Sequence, residues 1–292
     1  MDFVTLILNL DRKIIFAFVA VLVAWPLIWP LALPIETTPE VRSIFAAIEA
    51  LPNGSDIIIA ADYDPSSKPE LQPFTYSLLA HCFEKDLKVH LLTLWPGGPA
   101  LIQQAIEDVA AQYNKTSGTD YCFLGYKPGN AAVVGGLTNS ITGTYPTDFY
   151  NKQTATMPLY QRVQSVKDVK YIVDIAAGAT VEVWIAFASA PEKVPMSAAC
   201  TAVSAAGYYA YYTAGQLDGI SGGMKGSAEY DVLLMNNYPT VKVGGATRIA
   251  GNAVKGMDAQ SAVHLFIVLS IILANICYFI ANKRQRDERR GA

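Results

Sequence analysis

Asp56-Ile57-Ile58-Ile59-Ala60-Ala61, followed at once by Asp62-Tyr63-Asp64-Pro65, is the stretch on which the reading of the fold turns. It is a short apolar run, rich in β-branched residues, that ends in an acidic loop. A strand apolar on both faces must be covered on both faces, which is the habit of parallel sheets rather than of half-exposed hairpins. Directly after the loop, Ser67 and Glu70 match the S-x-x-E pattern that predicts a capping box, with Pro69 in the first helical turn. The next stretch carries Leu71, Phe74, Leu78, Cys82 and Phe83 at three-four spacing, the mark of a helix with one buried side.

The strand-loop-helix unit recurs along the chain. Residues 88–94 read as a second strand, broken by Pro96-Gly97-Gly98-Pro99. The helix after it shows Ile102, Ala105, Ile106, Val109 and Tyr113 on one face. Residues 121–125 and 170–175 read as the third and fourth strands, and residues 194–199 and 217–220 as the fifth and sixth. Apolar strands separated by helices predict an α/β fold: a doubly wound, mostly parallel, Rossmann-like sheet with right-handed crossovers. Residues 130–168 break the rhythm. They are rich in Gly, Thr and Tyr and too long for a plain crossover, so the expectation there is an insertion that offers a contact surface.

Outside this core lie two apolar runs. Between Ala262 and Ala281 no residue is charged, and at a rise of about 1.5 Å per residue the run at 261–282 covers roughly 30 Å, one hydrocarbon core. Lys283, Arg284, Arg286, Arg289 and Arg290 follow, and juxtamembrane basic residues mark the cytoplasmic side. The other run, residues 14–34, comes after Arg12 and Lys13. It places Trp25 and Trp29 at an interfacial belt and Pro26, Pro30 and Pro34 in its outer half. A cleaved signal peptide fits it less well, because the run exceeds a typical apolar region and no A-x-A site follows. The expected organisation is a cytoplasmic N-terminus (1–13), transmembrane helix (14–34), juxtamembrane helix (35–54) with Val41, Ile44, Phe45 and Ile48 inward, extracytoplasmic α/β domain (55–237), return loop (238–260), second transmembrane helix (261–282) and basic cytoplasmic tail (283–292).

A net charge of −3 with scattered basic residues argues against nucleic acid as a partner. The four cysteines show no C-x-x-C pair and no histidine at zinc spacing. Buried thiols are expected, with Cys82–Cys122 the pair an oxidising compartment would join.

Ligands of doubly wound sheets bind outside the carboxyl ends of the strands. The loops expected there collect Asp62, Asp64, Lys127, Asp174, Ser221, Lys225 and Glu229. Asp62, Asp64 and Asp174, together with loop hydroxyls, could hold a divalent cation through oxygen. The competing reading has Asp62 and Asp174 capping helices and bonding loop amides. Gly219-Ile220-Ser221-Gly222-Gly223 matches G-x-S-x-G, but a hydrolase elbow needs an acid and then a histidine further on, and the only later histidine is His264 at the start of the second span. The segment from Gly222 to Ser227 misses the contiguous G-K-[ST] of a phosphate loop. No cofactor beyond a divalent cation is implied. Tyr208, Tyr209, Tyr211 and Tyr212 crowd one helical segment and suit a partner surface, the core or ligand stacking. Asn275, polar within an apolar span, would bond either a backbone carbonyl or a partner helix.

Several longer motifs resemble a known family. They are Leu8-Asn9-Leu10-Asp11-Arg12, Asp62-Tyr63-Asp64-Pro65 with Glu70-Leu71-Gln72-Pro73, and Leu94-Trp95-Pro96. Phe123-Leu124-Gly125-Tyr126-Lys127-Pro128-Gly129, Pro146-Thr147-Asp148, Gly222-Gly223-Met224-Lys225-Gly226-Ser227-Ala228-Glu229-Tyr230 and Gly256-Met257-Asp258-Ala259-Gln260-Ser261 complete the set. The chain resembles a family of uncharacterised prokaryotic membrane proteins with two spans around an α/β domain, over nearly its whole length. The resemblance implies that architecture and carries no activity. The expected function is a membrane-anchored structural, assembly or ligand-binding protein, homo-oligomeric, with the lipid bilayer, its own copies and a small-molecule or protein ligand as partners. The alternative is a metal-assisted hydrolase using Asp62, Asp64 and Asp174. A channel is disfavoured, since no ionisable residue lies mid-membrane.

Overall fold

The computed structural model describes residues 3–31, 33–241 and 251–291. They divide into two compact units, residues 34–254 and residues 1–33 with 255–292.

The larger unit is built on β1 (Asp56–Asp62), whose residues are all buried. β2 (Lys88–Thr93), β3 (Tyr121–Tyr126), β4 (Tyr171–Ala176), β5 (Met196–Cys200) and β6 (Ile220–Gly222) join it in the order β3-β2-β1-β4-β5-β6, every pair parallel. The doubly wound α/β sheet expected from the apolar runs is therefore present. The last strand begins where the expected run ended: Leu217 is a buried residue of the approach to β6. Chain order reverses between β1 and β4, which lie side by side in the middle of the sheet. From β1 the chain winds out to β3; from β4 it winds the other way to β6.

Strand alternation sends side chains to two cores. Ile57, Ile59, Val173 and Ile175 pack with α3 (Pro39–Glu49), α4 (Lys68–Glu84), α5 (Pro99–Tyr113) and α12 (Gly223–Asn237). The inward side of α3 is Val41, Ile44, Phe45 and Ile48, so this helix belongs to the α/β core. It lies so close to the approach to β6 that a Cβ on Gly219 would come within 2.5 Å of the Glu40 carbonyl oxygen.

Ile58, Ala60, Ile172 and Ala176 pack on the opposite face. Residues 130–168, expected as an insertion, cover that face. They comprise α6 (Ala131–Asn139), α7 (Ile141–Thr144), a 3-10 turn (Thr154–Thr156), α8 (Pro158–Arg162) and a second 3-10 turn (Val166–Asp168). Their Val133, Val134, Leu137, Ile141, Leu159, Tyr160 and Val166 are core residues. The segment is long because it carries the chain from edge strand β3 back to the centre of the sheet. α9 (Thr180–Trp184) continues through a π-helical turn (Ile185–Ser189) into α10 (Ala190–Glu192), and with α11 (Ala202–Thr213) it completes this layer. Cys82 and Cys122 belong to opposite cores, which excludes their pairing, and all four cysteines are free and buried.

The smaller unit contains α1 (Phe3–Leu8), α2 (Arg12–Ile28) and most of α13 (Asn252–Gly291). The expected first span reached residue 34, but α2 ends at Ile28, because Pro30 cannot donate to a continuing ladder. α13 is long and apolar enough over Asn252–Asp287 to cross a membrane, and little of that stretch is buried. It extends beyond the expected 261–282 at both ends, so only part of the expected return loop stays irregular; residues 242–250 lie outside the described residues. Asp258, expected to cap the second span, sits inside α13 and accepts from the Leu31 and Leu33 amides at 2.9 and 3.1 Å. Asn275 donates to the Ile271 carbonyl at 2.8 Å, the backbone alternative for that residue.

Candidate functional site

The central reversal places two carboxyls side by side. Asp62 ends β1 opposite Ala176, and Asp174 lies inside β4 opposite Ala60. Counting alternate positions back to Ile58 and Ile172 puts both on the face covered by α6 and α9. Both are fully buried. Asp62 Oδ1 accepts from the Leu94 amide at 2.5 Å and the Thr93 hydroxyl at 3.3 Å. Asp62 Oδ2 and both Asp174 oxygens receive no hydrogen bond of good geometry; the Thr180 hydroxyl, 4% exposed, stands within reach of both carboxyls without a well-formed bond, and the two carboxyls reach each other. Burial pushes the Asp62 carboxyl up to about 6, against the pull of the Leu94 amide. Burial and then the Asp62 charge hold Asp174 well above the usual range.

Trp95, in the loop after β2, bridges the loops that leave these two strands. Its indole Nε1 donates to Asp64 Oδ2 at 3.3 Å, and its ring lies so close to Gly178 that a Cβ there would meet it at 2.8 Å. Tyr208 pins the same turn from α11, its hydroxyl donating to the Gly178 carbonyl at 2.8 Å. Tyr145 closes another side. Its hydroxyl is buried and partnerless, and burial followed by the Asp62 charge pushes its phenol well up. Its ring sits 5.5 Å beneath the Lys127 ammonium, beside a cleft of about 310 Å³ lined by Tyr126, Lys127, Tyr145 and Asp148. Lys127 itself donates to the Thr144 carbonyl at 2.5 Å.

The other expected site residues go elsewhere. Asp64 is not a third member of the carboxyl cluster: it accepts from the Ser66 amide and hydroxyl at 2.9 and 2.6 Å and anchors Trp95. Among the described residues no group of three or more metal-binding side chains forms. Glu229 is buried, pairs with Lys225, and accepts from the Thr38 amide and hydroxyl at 2.7 and 2.6 Å, which holds the start of α3. Lys225 and Glu229 line a separate cleft of about 250 Å³ with Tyr209 and Gly222. Ser221 is buried at the end of β6 with a partnerless Oγ. The domain histidines are engaged elsewhere, His81 with Glu49 and Tyr230 and His90 with Asp56 and Tyr160, so no serine-histidine pair forms among them. The four tyrosines divide: Tyr208 is buried, Tyr211 and Tyr212 lean on the core, and Tyr209 faces outward.

Sequence reading missed Thr180, Tyr145 and Trp95. Thr180 carried one faint signal, a hydroxyl just past the Ala176-Ala177-Gly178 turn, whereas Tyr145 lay in the segment taken for an insertion.

No protein-family model matches the chain, and no curated protein matches it. Among solved structures it is similar to the trehalose-6-phosphate synthase OtsA, with 10% identity over 86% of this chain and 47% of that one and a TM-score of 0.32. It is likewise similar to an α,α-trehalose-phosphate synthase (UDP-forming) from Burkholderia vietnamiensis, with 10% identity over 89% and 52% and a TM-score of 0.32. The chain spans about half the length of these proteins. Likeness at that level carries no argument about activity.

Proposed function

We propose that this chain is a membrane-anchored ligand-binding protein whose α/β domain takes a small ligand at the carboxyl ends of β1 and β4. The observation that carries the reading is the Asp62–Asp174 pair: fully buried carboxyls with partnerless oxygens, at the reversal where doubly wound sheets bind ligands. A fold selected only for stability would not keep buried acids short of donors, because each such oxygen costs about 1–3 kcal/mol. In this reading α13 anchors the protein and α2 is a second, shorter span. The basic residues beside both then put the termini in the cytoplasm and the domain outside. Copies associate in the membrane plane. His81 and His90 are engaged in structural bonds away from Ser221, and Asp64 in its own turn, which favours binding over hydrolysis.

The test is native mass spectrometry of the full chain in neutral detergent, beside the Asp62→Asn/Asp174→Asn variant. The expected result is more than one copy per particle and a bound mass that the variant lacks. A purely monomeric particle overturns the association. Identical masses for the two proteins overturn the binding site.

A further inference from the structure

Two carboxyls in contact inside a protein need a counter-charge or a proton, because an isolated buried carboxylate costs several kcal/mol. No ion pair of the described residues includes Asp62 or Asp174. Among the described residues facing the pair, the Leu94 amide already donates to Asp62, and the side-chain oxygens of Thr180 and Tyr145 stand beside it. Asp62 keeps Oδ1 occupied by Leu94 and Thr93, which fixes the carboxyl and leaves Oδ2 as a single free donor. Asp174 has both oxygens free, the arrangement of a two-toothed ligand. The Thr180 hydroxyl, more than nine-tenths buried and without a well-formed hydrogen bond, supplies a neutral oxygen within reach of both, and the Tyr145 hydroxyl, buried and partnerless, stands near Asp62.

We infer that Asp62, Asp174, Thr180 and Tyr145 form the protein part of a calcium-type cation site, beside the loops that Trp95 ties together. The inference rests on the switch-point reading above and names its ligand class. An all-oxygen donor set selects hard cations over thiol- or imidazole-seeking metals. Among hard cations, a fully buried site favours one that sheds water and accepts irregular geometry. Ca²⁺ does both, whereas Mg²⁺ dehydrates reluctantly and demands a regular octahedron. Two carboxylates are few for a calcium site, so the affinity belongs to the weak class of extracellular modules, with a Kd of about 10⁻⁴–10⁻³ M. That class suits a domain outside the cell.

The experiment uses the full chain in neutral detergent at pH 7. Thermal unfolding is followed in EDTA, in CaCl₂ and in MgCl₂ at matched ionic strength, for wild type and for Asp174→Asn. Terbium luminescence, sensitised by Trp95 and Tyr145, serves as a second readout that does not depend on stability. The expected result is a Tm rise of roughly 3 °C in about 5 mM CaCl₂, a smaller rise with MgCl₂, and none in Asp174→Asn. Sensitised emission should appear in wild type, be displaced by Ca²⁺, and fall at least tenfold in the variant. If no cation moves Tm and terbium emission is unchanged by Asp174→Asn, the cation site is overturned and the pair holds a proton instead. Should an organic mass still be lost from Asp62→Asn/Asp174→Asn under those conditions, the ligand-binding reading survives without its cation. If neither cation nor organic mass depends on the pair, both readings fall together.

Discussion

Asp56 and Asp62 stand at the first and last positions of β1 and point to the same face of the sheet, yet their surroundings differ in kind. Asp56 meets donors from two directions: His90 Nε2 at 3.0 Å and Arg162 Nη2 at 2.9 Å, with Tyr160 holding the far side of the imidazole at 3.3 Å. Asp62 meets another carboxyl. Asp231, on α12 in the other core, extends the comparison. It is as deeply buried as Asp62, but it takes the Ser77 hydroxyl and the Gly251 and Ala253 amides, at 3.0 and 3.1 Å for the amides. The fold satisfies a buried acid where it serves the architecture and leaves the central pair wanting. That contrast is the reason to place function at the carboxyl ends of β1 and β4.

The comparison breaks most readily at its satisfied end. Asp56→Ala removes the acceptor of a fully buried histidine and of Arg162, and should cost about 2–3 kcal/mol in denaturant unfolding. If Asp56→Ala left stability unchanged, the amino-end network would be ornamental and the contrast would lose its reference. At the other end the sign should reverse. In EDTA at pH 7, Asp62→Asn/Asp174→Asn replaces two repelling acids by neutral groups of the same shape and should gain roughly 1–2 kcal/mol. A loss comparable to that of Asp56→Ala would mean that the pair is structural after all.

Acidity sharpens the contrast further. Asp62 is raised to about 6, Asp174 well above the carboxylate range, and Asp231 to about 7, all first of all by burial. A group with a raised folded pKa keeps protons that the unfolded chain has lost, so stability falls as pH rises through that interval. Here the interval runs from about 4, where unfolded Asp ionises, to beyond 7. The groups facing the pair are Thr93, the Leu94 amide, Thr180, Tyr145, Glu182, Cys200 and Tyr208, and none of them is cationic. Without added cation, Tm should decline by several degrees between pH 4 and pH 7. The Asp62→Asn/Asp174→Asn variant should show a much flatter profile, keeping only the Asp231 share.

Much of this was legible before any coordinates. Runs such as Asp56–Ala61 announced their strands because a strand buried on both faces has no polar alternation to hide it. The candidate acids at 62 and 174 stood out because they end or interrupt such runs. What the sequence could not carry was order and facing. That β4 returns to the side of β1 depends on how residues 130–168 fold over the sheet, and their buried Leu137, Ile141 and Tyr160 look in sequence like scattered apolar residues of a long loop. Asp174 was read at the end of the fourth strand run and lies within β4, but only the register opposite Ala60 turns it toward Asp62. Asp64, two residues beyond Asp62 and also a carboxyl, points instead into its own turn, since a short Asp side chain bonds a nearby amide wherever the loop offers one.

The smallest effect is the most discriminating, because it compares two buried hydroxyls of similar size. Ser77 gives its proton to Asp231, and its removal in Ser77→Ala should cost about 1–2 kcal/mol, since a buried carboxylate loses a donor. Thr180 makes no well-formed hydrogen bond, so Thr180→Val, which keeps the shape and deletes the hydroxyl, should change stability in EDTA by less than about 0.5 kcal/mol, and in the favourable direction. Paired unfolding curves for the two variants measure the difference directly. A loss in Thr180→Val equal to that in Ser77→Ala would show that the hydroxyl already satisfies the acid pair, and the two ends of the sheet would then follow one rule. A neutral Thr180→Val whose calcium-dependent Tm rise is also reduced would instead tie the unused hydroxyl to the ligand.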